Sequence, residues 1–150
     1  FIPEAVAAFT DKDRERLMRD AGIVRNRRKI DAAITNAQAV IALRGALAAE
    51  AEAYRAGRME EAPVAHLLLP RQSYPRHLGE LVWLYQPRQQ PRPEKAGDVP
   101  AQTEESRALS LELKRRGFVF VGPVTALALM SAIGIANTDI LGTWKRPLNE

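Results

Sequence analysis

The segment that most constrains the fold is the ten-residue run 114–123, Lys-Arg-Arg-Gly-Phe-Val-Phe-Val-Gly-Pro. Gly117 is suited to the left-handed position that ends an α-helix. Gly122 and Pro123 suit the start of the next helix, where the missing N–H of proline is no loss. The run therefore predicts two helices joined by a hairpin of four apolar residues between two glycines.

The start of the second of these helices is a candidate anion site. Its first N–H groups, from Val124 and Thr125 onward, have no partner within the helix and lie at the positive end of its dipole. The run that precedes it opens with three cations, Lys114, Arg115 and Arg116. We expect a DNA phosphate to bind here, with Phe118 to Val121 anchoring the hairpin in the core. The alternative is a hairpin that only joins two helices.

A second basic segment opens the helix that apolar spacing predicts from about Arg25 to about Arg44. Its apolar residues recur three and four apart, at Ile30, Ala33, Ile34, Ala37 and Ile41. Its first residues include the cations Arg25, Arg27, Arg28 and Lys29. The helix dipole disfavours cations at this end, so an anionic partner would relieve a local cost. A solvated helix end is the alternative.

The remaining pattern predicts an all-α protein, because alternation typical of strands is essentially absent. We interpret residues 1–150 as a single helical domain. It carries an insertion at about 45–77 and a Pro-rich linker at about 87–100. A short helix at about 77–85 is expected to bury Leu81, Val82 and Trp83 or their neighbours. The chain has no cysteine and a net charge of +4, which permits a nucleic-acid partner without requiring one. No apolar run reaches the length of a membrane span, so we expect no membrane partner. The lack of cysteine fits a cytoplasmic protein, and no feature indicates an obligate protein partner.

The sequence offers little for metal or nucleophilic chemistry. His66 and His77 lie eleven residues apart in the predicted insertion, with no cysteine to accompany them. No serine, histidine and acid occur at a recognisable catalytic spacing. We therefore expect ordinary surface histidines and no nucleophilic catalytic site.

Several segments together resemble the DNA-3-methyladenine glycosylase I family. Residues 21–30, Ala-Gly-Ile-Val-Arg-Asn-Arg-Arg-Lys-Ile, followed by Asn36 and Ala37, resemble its "DAGIIRxRxKIxAxIxNA" stretch. Leu-Val-Trp at 81–83 resembles its "FVW" helix. Residues 98–110 and the run 113–123 resemble the block that ends in "KKRGFxFVGPTT". The order and spacing agree over about residues 1–142, apart from the insertion.

The resemblance implies a helix–hairpin–helix DNA glycosylase that hydrolyses the N-glycosidic bond of 3-methyladenine in alkylated DNA. It also implies that double-stranded DNA binds through its phosphate backbone. The implied DNA-binding residues are Arg25, Arg27, Lys29, Lys114, Arg115, Arg116, Gly117, Phe118, Gly122, Val124 and Thr125. In the family, the segment before the position of Phe1 supplies the base pocket and two zinc ligands. We therefore expect the fold to be incomplete at its N-terminus, with no catalytic residue in this chain and no activity of the chain alone.

The resemblance further implies that the zinc site of the family is lost, so that no cofactor is bound. Asp139 stands at the position of a zinc histidine and Thr143 at that of a zinc cysteine, and without a thiolate they are poor substitutes. Asn137 matches the family's asparagine and cannot act as a carboxylate. Two other readings remain open. One is a catalytically degenerate module that binds the DNA backbone, and the other is a structural all-α protein.

Overall fold

The computed structural model describes residues 1–143. Within this range the regular elements are all helical, and residues 1–143 contain no strand, which confirms the all-α prediction. The α-helices, in chain order, are α1 (Pro3–Ala7), α2 (Asp11–Arg19), α3 (Arg27–Arg55), α4 (Leu78–Trp83), α5 (Glu104–Arg115) and α6 (Pro123–Ala132). Short 3₁₀ turns lie at Met59–Glu61, Ala65–Leu67 and Ala96–Asp98.

The chain forms two compact units. Among the described residues, unit 1 comprises residues 1–81 and 113–120, and unit 2 comprises residues 82–112 and 121–143. The core of unit 1 is built on α3 and includes Ile34, Leu43, Leu47, Val64, Leu81 and Phe118. The core of unit 2 includes Val82, Leu109, Leu127, Met130 and Ile135. The single domain that the sequence suggests stays a prediction.

Helix α3 extends eleven residues beyond the predicted end at Arg44, to Arg55. The predicted end was wrong because Gly45 lies inside the helix, where one glycine costs only about 1 kcal/mol and the following alanines favour helix. The helix ends instead at Gly57, whose φ is +74°, with Gly57 N–H donating to Tyr54 O and Arg58 N–H to Ala53 O. Residues 45–55 of the predicted insertion are thus part of the core helix.

The buried face of α3 changes along its length. Ile30, Ile34 and Ala37 are buried as predicted, but Ile41 is 39% exposed and Ala33 is also exposed. Farther along, Leu43, Leu47 and Ala51 form a row with a spacing of four residues. The apolar spacing in the sequence therefore predicts the buried residues only in the first part of α3, because the buried face shifts around the helix farther along.

By length and composition alone, α3 could cross a membrane, contrary to the expectation that no apolar run is long enough. Its surroundings are those of a core helix. Helix α1 packs along it, with Arg44 pairing with Glu4 and Gln38 donating to the carbonyl of Ala7. Arg14 of α2 pairs with Asp31 at 3.0 Å.

Helix α4 is shorter than predicted and buries Leu81 and Val82, as expected. The side chain of Trp83 is 47% exposed, and its neighbour Tyr85 is buried instead. Consecutive helical residues differ by 100° in direction, so three neighbours cannot all point into one core. Helix α5 starts with a reciprocal pair in which Thr103 Oγ1 accepts from Ser106 N–H and Ser106 Oγ accepts from Thr103 N–H.

Candidate nucleic-acid interface

The end of α5 has the geometry that its glycine predicts. Gly117 has φ +85°, its N–H donates to Lys114 O at 3.0 Å, and Phe118 N–H donates to Leu113 O at 3.0 Å. These two bonds satisfy carbonyls at the helix end and turn the chain sharply. Lys114 and Arg115 lie exposed on the last turn, where the helix dipole favours cations.

Arg116 is held inside unit 1 rather than on its surface. Its guanidinium donates from both terminal nitrogens to Glu50 of α3, each at 2.9 Å. The two side chains are only 9% and 16% exposed. The hydroxyl of Tyr74 donates to the same carboxylate at 2.7 Å. Burial, and then the hydrogen bond to Glu50, raise the pKa of Tyr74 above its ordinary value. We call Glu50, Tyr74 and Arg116 the Glu50 cluster.

The hairpin is fastened to α3 by the side chain of Asn36. The Oδ1 of Asn36 accepts from Val119 N–H at 2.8 Å, and its Nδ2 donates to Val119 O at 3.1 Å. The side-chain amide thus pairs with both polar groups of one backbone residue. This contact fixes the position of the hairpin on unit 1.

Only part of the expected apolar anchor is buried. Phe118 is 6% exposed, whereas Val119 is 38% and Phe120 is 57% exposed. The prediction that the whole turn enters the core was therefore wrong for these two residues. Phe120 has φ +59°, a left-handed conformation that costs a bulky residue on the order of 1–3 kcal/mol. The physical reason is that a turn this tight can direct only some of its side chains inward.

The basic start of α3 lies on the same side of unit 1 as the hairpin. Asn36 follows Lys29 by seven residues, which is nearly two full turns, so both lie on one face of α3 at a separation of about 11 Å. Lys29, Arg28 and Arg25 are exposed, and no ion pair involves them within residues 1–143. Asn26 caps the helix by accepting from Lys29 N–H at 3.2 Å.

Arg27 differs from its basic neighbours because it has acidic partners. Its Nε lies 3.2 Å from the carboxylate of Asp31, and its Nη2 lies 3.9 Å from Asp11. Its side chain remains 53% exposed. The charge of Arg27 is thus partly compensated within unit 1.

In unit 2, α6 begins with N–H groups that no side chain caps. Gly122 is the N-cap, has no side chain to accept a hydrogen bond, and is followed by Pro123. Val124 and Thr125 are exposed in the first turn. The φ of Gly122 is −67°, and a Cβ built there would meet nothing within 4 Å. Neither backbone strain nor crowding requires glycine at this position, and its effect is to leave the helix start uncapped.

The segment after α6 contains the positions of the implied zinc ligands. The hydroxyl of Thr143 donates to Ile140 O at 2.8 Å, and Asp139 N–H donates to Asn137 Oδ1 at 3.1 Å. Over residues 1–143, no three His, Cys, Asp or Glu side chains cluster as metal ligands would. A hydroxyl already bonded to a carbonyl and a single carboxylate do not fit a zinc site.

Four residues of these surroundings were missed from the sequence. They are Asn36, Glu50, Gln90 and Ser110. Gln90 fixes the segment after α6, since its amide donates to Ile135 O at 3.0 Å and accepts from Asn137 N–H at 2.8 Å. Ser110 Oγ donates to Val121 O. No local pattern marks such residues, because each bonds to backbone or side chain distant in the chain. For Asn36 the separation is 83 residues.

The chain resembles known proteins over almost its whole length. The family model described as methyladenine glycosylase matches residues 1–67 and 64–146, two segments that meet inside the predicted insertion. The DNA-3-methyladenine glycosylase 1 of Escherichia coli K12 is 33% identical over 153 aligned residues, covering 100% of this chain and 66% of the relative. The DNA-3-methyladenine glycosylase of Haemophilus influenzae is 27% identical, covering 93% of this chain and 62% of the relative.

A solved structure gives the same result for the fold. A crystal structure of 3-methyladenine DNA glycosylase I matches 97% of this chain with a TM-score of 0.69 and 28% identity. This chain covers 65% of that structure. It therefore spans just under two thirds of the length of these relatives.

Proposed function

The chain belongs to the methyladenine glycosylase family, and from that membership we propose that it acts in base-excision repair of alkylated DNA. It binds duplex DNA through the phosphate backbone, and its reaction is hydrolysis of the N-glycosidic bond of 3-methyladenine. Methylation makes this base cationic and a good leaving group. The enzyme therefore has to extrude and hold the base more than it has to supply a strong nucleophile.

The basic surface of unit 1 is the proposed site of backbone binding. The observation that supports it is the clamp of Asn36 on Val119, because this clamp fixes the hairpin on the α3 face that carries Lys29. We assign the phosphate contacts to four exposed cations of the two basic segments, which are Arg25, Lys29, Lys114 and Arg115. Such contacts position a protein on DNA without reading its sequence. Arg27 has a lesser part because Asp31 compensates its charge.

Arg116 is left out of the proposed phosphate contacts. Its side chain is 9% exposed and both terminal nitrogens bind Glu50, so a phosphate would have to displace a carboxylate from a buried site. Gly117 and Phe118 likewise have positioning roles. Gly117 supplies the left-handed turn, and the buried ring of Phe118 holds the turn on unit 1.

In unit 2 we assign a phosphate to the start of α6. The free N–H groups of Val124 and Thr125 together with the helix dipole favour an anion there, and the side-chain-free Gly122 leaves the approach open. This contact is proposed separately from the basic surface of unit 1.

We further propose that the protein works without zinc, in the cytoplasm, and with no obligate protein partner.

A second candidate function is a binding module that has lost catalysis. The observation that favours it is that Asp139 and Thr143, at the positions of two zinc ligands of the family, do not fit a zinc site, since the hydroxyl of Thr143 already donates to Ile140 O. Such a module would bind the DNA backbone through the same cations and leave the lesion intact.

Release of free 3-methyladenine from methylated duplex DNA distinguishes the two candidates. The protein is incubated with the duplex, the released bases are separated and identified by mass spectrometry, and binding is measured on the same DNA. Release of 3-methyladenine supports the glycosylase. Binding without release supports the module and agrees with the expectation from the sequence that this chain alone has no activity. If the protein neither binds the duplex nor releases 3-methyladenine, both candidates are overturned.

A further inference from the structure

The segment that follows α6, residues 133–143, is bound by the side chain of Gln90 within unit 2. The Nε2 of Gln90 donates to Ile135 O at 3.0 Å, and its Oε1 accepts from Asn137 N–H at 2.8 Å. Gln90 and Ile135 are 45 residues apart in the chain. One amide thus uses its donor and its acceptor on two backbone groups of the same segment. We call residues 133–143 the post-α6 segment.

Further contacts within unit 2 hold the post-α6 segment in place. Leu141 N–H donates to Pro93 O at 2.9 Å. The hydroxyl groups of Ser131 and Thr138 lie 3.1 Å apart, and this hydrogen bond joins α6 to the segment. The side chains of Ile135 and Pro93 are fully buried. Hydrogen bonds and burial therefore fasten the segment from its start to near its end.

The side chains of unit 2 do not suit a zinc ion in this role. Structural zinc sites use mainly thiolate and imidazole ligands. The chain has no cysteine, and both of its histidines, His66 and His77, belong to unit 1. At the two ligand positions that the resemblance implies, Asp139 offers a carboxylate, and the hydroxyl of Thr143 already donates to Ile140 O at 2.8 Å. The segment thus has hydrogen bonds at the place where the resemblance implies a metal.

We infer that Gln90 is a metal-free clamp, which fixes the post-α6 segment without the zinc ion of the family. This inference rests on the proposed function without zinc, and it adds the residue that takes the place of the metal. A structural zinc ion fastens a fold by bonding side chains from different segments, so that metal binding and folding are coupled. The amide of Gln90 joins two segments through hydrogen bonds that are each weaker but need no metal. The fold of unit 2 then depends neither on the zinc supply nor on chelators.

The test of the clamp compares variants at two neighbouring glutamines. Gln90→Leu removes both hydrogen bonds and keeps a side chain of similar size. Gln90→Glu keeps the oxygen that accepts from Asn137 N–H and loses the donor to Ile135 O. Gln89→Leu is the matched control, because Gln89 is exposed on the same segment. Hydrogen exchange of the Asn137 N–H is followed by NMR, and the Tm of each variant is measured by thermal unfolding.

We expect the Asn137 N–H to exchange at least about tenfold faster in Gln90→Leu than in the parent protein, because this N–H loses its acceptor. Gln90→Glu should have a lower Tm than the parent protein and a smaller change in exchange, and Gln89→Leu should match the parent in both. Exchange at the parent rate in Gln90→Leu overturns the clamp. If Gln90→Leu does not fold, a Tm of Gln90→Glu equal to that of the parent overturns it instead.

The role of the metal is tested separately on the parent protein. We expect the purified protein to contain no stoichiometric zinc by mass spectrometry, and its Tm to stay the same with excess EDTA or with added Zn²⁺. A stoichiometric zinc ion, or a Tm that EDTA lowers, overturns the proposed function without zinc, and the claim that Gln90 takes the place of a metal then fails with it. Failure of the Gln90 variants alone overturns the clamp and leaves the function without zinc standing.

Discussion

Arg116 and Glu50 form a two-point ion pair, with both guanidinium Nη atoms 2.9 Å from the carboxylate oxygens and both side chains largely buried. The pair joins the residue that directly follows α5 to the C-terminal part of α3. The sequence suggests Arg116 for DNA binding, but the ion pair holds its side chain inside unit 1. We therefore expect substitutions in this pair to change the stability of the protein.

Glu50→Gln is expected to destabilise the protein by about 2–4 kcal/mol, because Arg116 would keep a buried charge without its counter-charge. This corresponds to a Tm lower by roughly 5–15 °C. Glu52→Gln, an exposed position on the same helix, is the control and should change stability by less than about 0.5 kcal/mol. Thermal unfolding measures both. Recovery of stability in Glu50→Leu/Arg116→Met would support the account, and an unaffected Glu50→Gln would contradict it.

Asn36→Ala is expected to free the hairpin from α3. The loss of two hydrogen bonds to Val119 should cost about 1–2 kcal/mol. The amide N–H of Val119 should then exchange with solvent much faster, which hydrogen exchange detects by NMR. Asn36→Asp keeps the acceptor but loses the donor, and should give an intermediate rate. Unchanged protection of Val119 in Asn36→Ala would show that the clamp does not hold the turn.

Gly122→Asp separates stability from binding at the start of α6. An aspartate N-cap accepts hydrogen bonds from the first turn and complements the dipole, so stability should rise by a few tenths to about 1 kcal/mol. The same carboxylate occupies and repels the proposed phosphate position, so duplex affinity should fall. Unfolding by urea and binding by fluorescence anisotropy give the two quantities. An affinity that is unchanged or higher would rule out this phosphate contact.

Glu80 predicts a dependence of stability on pH. Hydrogen bonds from the side chain and then the backbone N–H of Arg76 lower the pKa of Glu80 from 4.5 to about 2. Since the folded pKa is lower than the unfolded one, the stabilisation is present above pH 4.5 and is lost as the pH falls toward 2. Glu80→Gln should lower stability by up to about 1 kcal/mol at pH 6. Urea unfolding between pH 6 and pH 2.5 should show this difference shrinking, and a constant difference would contradict it.

Helix ends and the helical class could be predicted because they depend on local chemistry. Gly117 and Gly134 both end helices with positive φ, and Thr10 starts α2 by donating from its N–H and hydroxyl to Asp13. The end of α3 was missed for a local reason too, since Gly45 and Gly57 look alike in sequence. Only the alanines between them and the bonds beyond Gly57 decide which one ends the helix.

The long-range contacts could not be predicted because no local pattern encodes them. The sequence marks Arg116 as a cation in a basic run, and only the fold places Glu50 against it. Likewise, the apolar turn suggests a buried anchor. The fixed backbone at Val119 directs Phe118 inward and leaves Phe120 outside. The sequence thus predicts the cations of the candidate interface. It does not predict the contacts that leave some of them exposed and hold others, such as Arg116, inside the fold.

The salt dependence of duplex binding tests the central claim most directly. If Arg25, Lys29, Lys114 and Arg115 each neutralise one phosphate, log K should fall linearly with log salt with a slope of about −3 to −4. Lys29→Ala and Lys114→Ala should each reduce the magnitude of that slope by about 1. Arg55→Ala should leave it unchanged, because Arg55 lies at the far end of α3, about 39 Å from Lys29. No duplex binding at low salt, or an equal slope in Lys29→Ala, Lys114→Ala and Arg55→Ala, would contradict the account.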